Sequence, residues 1–226
     1  MTNMEPAGNV LPIYFVADES GSMRNVVAEM NTGMRSLLDE ISLQPFAAAA
    51  VRFTVIGFNN EARCYLSNAD LRYAGELQPF ISNHQTYFST AFDMLSQLIP
   101  QDIANLKAEG YRVNRPAVFF MTDGYPMDDD MWEEARADLM ALPQRPNLLC
   151  FGLGDGVNAS IISQMASSPQ YAYKTAQGAD TGKMLANFMS SLTQSVISSG
   201  NAVGAGAGSL QAQVPEGFLM IDADEV

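Results

Sequence analysis

A chain of 226 residues, 47% apolar and only 16% charged, carries enough core-forming material for one large domain, or for one domain with an appendage, and is too apolar to be disordered. Its 25 acidic against 12 basic residues, a net charge of -13, argue against a broad nucleic-acid surface and against docking on anionic membranes, and fit a soluble protein that binds cations or basic partners. No run has the length of a membrane span, and residues 1–8 (MTNMEPAG) lack the basic and apolar stretches of a signal segment, so a cytoplasmic location is expected.

Residues 1–9 read as an N-terminal extension. The apolar run Leu11–Asp18 predicts a first strand, and Val26, Val27, Met30, Met34, Leu37, Leu38 and Ile41 share one face of a helix from about Arg24 to Ser42, stopped by Pro45. Val51–Phe58 and Glu61–Leu66 form a hairpin about the Asn59-Asn60 turn, and Leu71–Ile81 is irregular. A helix follows from Phe88 to Glu109, with Pro100 as a possible break. Ala117–Thr122 is nearly all apolar, as a central parallel strand should be. A helix at Asp130–Leu142 carries a candidate capping box in Asp130 and Glu133. The order ends with a strand at Leu148–Leu153, a helix at Ala159–Ser167, a strand at Tyr171–Thr175 and a helix at Thr181–Ser198. This alternation predicts an α/β fold: a doubly wound, mainly parallel, six-stranded sheet with one antiparallel edge and helices on both faces. Residues 200–213, rich in Gly, Ala and Ser, read as a flexible linker. Residues 214–226 form an acidic tail in which Phe218–Ile221 precede Asp222, Asp224 and Glu225, free to dock on this domain or on another.

The chemistry concentrates in Asp18-Glu19-Ser20-Gly21-Ser22, directly after the first strand. In an extended loop alternate residues point the same way, so Asp18, Ser20 and Ser22 converge at the C-terminal end of a strand, where open α/β sheets bind ligands. Such hard oxygens suit Mg²⁺, with Mn²⁺ or Ca²⁺ as alternatives, better than zinc. A serine helix cap without metal is the competing reading. Asp123 ends the central strand on the same rim, and Thr86 stands just before a helix. Asp128–Asp130 lacks the glycine and spacing of a calcium loop and reads as a complement to a helix dipole. Gly152-Leu153-Gly154-Asp155-Gly156 lacks the lysine of a phosphate loop and reads as a strand-to-helix turn. His84 is a surface residue or a rim contact for a partner, and Trp132 an interface anchor or a core residue. Cys64 and Cys150, the two cysteines, read as reduced thiols, and a chain with one histidine and no close cysteine pair offers no zinc site.

Asp18-Glu19-Ser20-Gly21-Ser22, Thr86 and Thr122-Asp123-Gly124, in this order and in these structural places, resemble the von Willebrand factor type A domain and its metal-ion-dependent adhesion site. The resemblance spans residues 10–199 and takes in Gly152–Asn158 and Met165–Pro169 as a late strand, helix and turn. It departs at His84-Gln85, where the family has glycines before the threonine, which leaves Thr90 as a rival for that role. The resemblance implies that Ser20, Ser22 and Thr86 bind a divalent ion directly, that Asp18 and Asp123 do so directly or through water, and that a partner's Asp or Glu fills the last position. Neutral hydroxyl ligands leave the dication under-compensated, so an incoming carboxylate is held by a charge-assisted bond. The family's sheet order also sets the strands of Cys64 and Cys150 too far apart for a disulfide. Within the family the chain resembles compact, stand-alone bacterial members of the TerY-like kind, associated with tellurium resistance. The expectation is a non-enzymatic, metal-dependent protein-interaction module in a bacterial stress or tellurium-resistance complex, with no nucleic-acid or membrane partner. A metal-assisted hydrolase or phosphoryl-transfer enzyme is the alternative, though no nucleophile–base pair or phosphate cradle is visible; a scaffold without a functional metal is the third.

Overall fold

The structure is a computed structural model that describes residues 7–208 and 210–221. Strand β1 (Asn9–Asp18) is buried from Val10 to Asp18 and feeds two cores at once. Ile13, Phe15 and Ala17 face one core, while Tyr14 and Val16 face the other. A strand covered on both sides needs no polar alternation, which is why its sequence is a continuous apolar run.

The first core lies under α1 (Val27–Ser42), α2 (Pro45–Ala49) and α6 (Thr181–Gly204); the second lies under α3 (Phe88–Ala108), α4 (Trp132–Ala141) and α5 (Ala159–Met165). Between them runs an eight-stranded sheet in the order β3-β2-β1-β5-β6-β7-β8. The further strands are β2 (Val51–Phe58), β3 (Ala62–Ala69), β4 (Arg112–Val113), β5 (Ala117–Thr122), β6 (Asn147–Gly152), β7 (Ala172–Thr175) and β8 (Phe218–Met220). β4 lies off this path and pairs with the start of β1. Strands β2, β1, β5, β6 and β7 are parallel, and β3 and β8 close the two edges antiparallel. Successive strands leave β1 on opposite sides, β2 on one and β5 on the other. The crevice above the C-terminal ends of β1 and β5 is therefore the topological switch point, the place where such sheets hold ligands.

The doubly wound α/β architecture agrees with the sequence reading, but the sheet has eight strands rather than six and two antiparallel edges rather than one. The two-residue β4 is too short to leave a periodic signal, and β8 belongs to the segment read as a tail. Pro45 does end α1, yet it also opens α2, where its missing N–H costs nothing at the first helical position. Pro100 does not break α3, whose buried face (Phe92, Leu95, Ile99, Ile103) continues through it. The capping box at Asp130 and Glu133 is absent: α4 starts at Trp132 with Met131 as its cap residue. Asp130 instead accepts from the backbone N–H groups of Phe88 (2.6 Å) and Ser89 (3.2 Å), capping α3 from outside its own chain segment. Trp132 is a core residue, 7% exposed and edge-on to Phe88.

The largest departure is at the C-terminal end. Where composition predicts a flexible linker, α6 runs on to Gly204, and Gly200 lies so close to the Ala47 backbone that a side chain there would collide. The chain then returns along α6 as an extended strap. Ser199 and Ser195 accept from the N–H groups of Gln211 and Gln213 (both 2.8 Å), Ser191 donates to the Gln213 carbonyl (2.9 Å), and Asn187 donates to that of Glu216 (3.0 Å). These four side chains recur at every fourth position, hence on one helix face. Phe218 and Ile221 are buried in the two cores, so this part of the tail docks on its own domain. Asp222, Asp224 and Glu225 lie outside the described residues. Cys64, exposed on β3, and Cys150, buried on β6, are free thiols with β2, β1 and β5 between their strands. Among the described residues no helix is long and apolar enough to cross a membrane.

Candidate metal centre

Asp18 ends β1 fully buried, with both carboxylate oxygens engaged. Its Oδ1 accepts from the Ser20 N–H at 2.7 Å, which folds the loop back over the strand end, and its Oδ2 accepts from the Thr122 hydroxyl at 2.6 Å, which ties β1 to β5. Gly21–Asn25 then form a short 3-10 helix before α1. Within this loop the Ser20 and Ser22 hydroxyls lie 2.9 Å apart, and the Ser22 hydroxyl donates to Asp123 Oδ1 at 2.6 Å. Asp18, Ser20, Ser22 and Asp123 thus form one hydrogen-bonded string across the switch point. Ser20 is buried at its inner end, Asp123 is half-buried, and Ser22 faces solvent.

Thr86 reaches the same place from a third loop. The Thr86 and Ser22 hydroxyls both border Gly124, 3.7 and 3.8 Å from where a Cβ there would stand. The Thr86 carbonyl accepts from the Met127 N–H at 3.0 Å, so this loop is also bonded to the one after β5. Thr90 lies within the first turn of α3, where its hydroxyl donates to the Tyr87 carbonyl at 2.9 Å. The structure therefore brings together all five predicted ligands, and Thr86 rather than Thr90 borders the cluster. His84 is exposed nearby with φ at +66°, a conformation that favours glycine, at the point where the family pattern has glycines. Asp155 lies in the turn after β6, accepting from the Gly178 N–H at 2.8 Å, consistent with a strand-to-helix connection.

Burial lifts the Asp18 carboxyl to a pKa of about 6, and the neighbouring Asp123 charge adds to the rise, against the opposing pull of the Thr122 and Ser20 bonds. Asp123 is raised as well, chiefly by burial. Among the described residues no basic side chain pairs with either one. Carboxylates alone do not make the site, since no group of three or more His, Cys, Asp or Glu among the described residues could hold a metal ion. The Ser20, Ser22 and Thr86 hydroxyls stand beside these two carboxyls. Hard neutral and anionic oxygens from separate loops fit a small divalent ion.

The von Willebrand factor type A domain model matches residues 13–187, more than half of the chain. The chain belongs to this family. No curated protein matches it. Among solved structures, the VWA chain is similar to proximal thread matrix protein 1 from the mussel byssus. The crystal form described as having a zinc-occupied MIDAS motif shares 18% identity at a TM-score of 0.59, over 84% of this chain and 46% of that one. It is also similar to the pilus adhesin SpaC of Lactobacillus rhamnosus GG in its open conformation (15% identity, TM-score 0.64, 86% and 31%). A von Willebrand factor type A protein from Catenulispora acidiphila matches at 14% identity and a TM-score of 0.55, over 84% and 43%. The chain thus spans less than half the length of these relatives, and at such identities the likeness is one of fold.

Sequence reading missed three contributors. Thr122 was visible as part of a motif, but its bond to Asp18 was not. Glu19 and Asn31, which bond to the segment leading into Thr86, carried no signal beyond the alternation of the Asp18–Ser22 loop and a glycine, Gly57, inside a buried strand.

Proposed function

We propose that this VWA chain is a metal-dependent protein-interaction module rather than an enzyme. In this reading Asp18, Ser20, Ser22, Thr86 and Asp123 hold a divalent cation at the switch point, and a partner protein supplies an Asp or Glu carboxylate. The observation that carries it is the hydrogen-bonded string from Asp18 through Ser20 and Ser22 to Asp123, bordered by Thr86. When bound, the ion supplies a positive centre that an incoming carboxylate can engage. The chain's own part is to hold five oxygens from three loops and to present them at an accessible rim. Ser20 and Ser22 spend their bonds on one another and on Asp123, not on backbone, so both are available as ligands without breaking the fold.

Mg²⁺ is the leading ion, from hydroxyl ligation and cellular abundance. Mn²⁺ and Ca²⁺ suit the same oxygens, and Zn²⁺ enters because a structural relative is described with zinc in this motif. The likeness to a thread matrix protein and a pilus adhesin supports a binding role over a catalytic one. The setting we propose is a bacterial, cytoplasmic stress or tellurium-resistance complex, without nucleic acid or membrane.

Calorimetric titration of the chain with Mg²⁺, Mn²⁺, Ca²⁺ and Zn²⁺, each with and without an acidic peptide, tests the proposal. Saturable binding that is lost in Ser20→Ala/Ser22→Ala is the expected result. Wild-type protein that takes up none of the four ions at millimolar concentration ends the reading. A pull-down from the native host with and without chelator then identifies the partner.

A further inference from the structure

Glu19 alternates with Asp18 and Ser20, so its side chain leaves the loop on the opposite side, away from the metal centre. It is nonetheless only 2% exposed. Its Oε1 accepts two hydrogen bonds, from the Tyr65 hydroxyl of β3 at 2.7 Å and from the Ile81 N–H at 2.9 Å. Its own carbonyl accepts from the Asn83 N–H at 2.8 Å, and the His84 carbonyl accepts from the Gly21 N–H at 3.0 Å. The segment that leads into Thr86 is therefore stitched to the Asp18–Ser22 loop, and the stitch is anchored on β3 through one carboxyl. Room for that carboxyl is built into the sheet: a Cβ at Gly57 of β2 would collide with it, which accounts for a glycine inside a buried strand that would otherwise favour a side chain. Burying a carboxyl group is costly unless it is well bonded.

We infer that Glu19 is a positioning residue of the metal centre: through its bond to Ile81 it sets where residues 81–86, and with them the Thr86 hydroxyl, stand over the Asp18–Ser22 loop. This rests on the metal-centre reading above. Glu19 touches no ion and acts through Thr86. The family pattern asks for Asp, Ser and Ser at alternate positions; this chain adds an acid between them whose work is done on the other side of the loop.

The experiment is a double-mutant cycle on the full chain, with Mn²⁺ affinity read by calorimetry and amide exchange of residues 80–87 read in chelator. Tyr65→Phe removes one Glu19 bond without altering any charge, and Glu19→Ala removes both. Each is expected to weaken Mn²⁺ binding by about tenfold, the lower end of what outer-shell partners of metal ligands are worth. Each is also expected to speed exchange at Ile81 and its neighbours in chelator. In a Thr86→Ala background the same changes should leave affinity where Thr86→Ala alone puts it. Full additivity in that background, or a fall in melting temperature with Mn²⁺ affinity and exchange unchanged, overturns the inference. A wild-type chain that binds no divalent ion overturns the metal-centre reading and this inference with it; an additive cycle on a chain that binds overturns this inference alone.

Discussion

Two regions of the molecule are built from serines, and they spend them differently. Along α6, Ser191, Ser195 and Ser199 give their hydroxyls to the backbone of the strap, and Ser195 also donates to the Ser191 carbonyl at 2.7 Å. At the rim, Ser20 and Ser22 bond to one another and to Asp123, side chain to side chain. A hydroxyl given to a main-chain group is committed, because breaking the bond strands a polar group. A hydroxyl given to another side chain can be surrendered to a cation that satisfies both partners. Serine as a residue type is therefore uninformative here; the partner of its hydroxyl, main chain along α6 and side chain at the rim, separates the two regions.

The comparison breaks most visibly at the metal centre. Ser20→Ala/Ser22→Ala should abolish measurable divalent binding by calorimetry while the melting temperature in chelator falls little, since no backbone group loses its partner. A collapse of the fold would show that the rim serines are structural after all. Gly200→Ala is the converse: a Cβ pressed into the Ala47 backbone should cost about 1–3 kcal/mol by denaturant unfolding and leave metal affinity unchanged.

A buried carboxyl far from both regions sharpens the contrast. Asp102 on α3 accepts from the Tyr14 hydroxyl at 2.7 Å, and burial holds its pKa above the ordinary carboxylate value, against the pull of that bond. The folded state thus binds this proton more tightly than the unfolded chain does. Its contribution to stability is fully present below the unfolded pKa and is lost as pH rises through the folded one. Asp102→Asn should flatten that fall in a pH series of urea unfolding curves, with or without Mg²⁺. Tyr14→Phe, which leaves the carboxyl without its donor, should cost about 1–3 kcal/mol at neutral pH. The smallest effect is expected at Ser195→Ala: faster amide exchange at Gln213, roughly 0.5–1.5 kcal/mol of stability, and no change in metal binding.

Much of the centre of the fold was legible because its signals are local. A strand buried on both faces reads as an apolar run, and β2 and β5 agree with their predicted bounds to the residue. The alternation of Asp18, Ser20 and Ser22 likewise places three oxygens together without knowledge of the rest. What escaped was decided between distant segments. Asp130 looks like the cap of the helix it precedes, but it caps α3 instead. The strap reads as a linker because Gly, Ala and Ser carry no hydrophobic pattern; the spacing of Asn187, Ser191, Ser195 and Ser199 was present in the sequence, but nothing local said that returning chain would lie across it. Glu19 looks like an ordinary polar spacer until Tyr65 and Ile81 are brought to it.

Strand β8 reverses the chain at Gly217 and carries it down beside β7, so that the Ile221 N–H bonds to the carbonyl of Ala172, where β7 begins. Asn9 enters the sheet at that same pole. Asn9 and Ile221 therefore both lie at the pole opposite the Asp18 rim. Tension applied between the two poles would run along the axis of β1, and its ladders to β2 and β5, eight and five residue pairs long, would bear the load in parallel shear instead of peeling open one bond at a time.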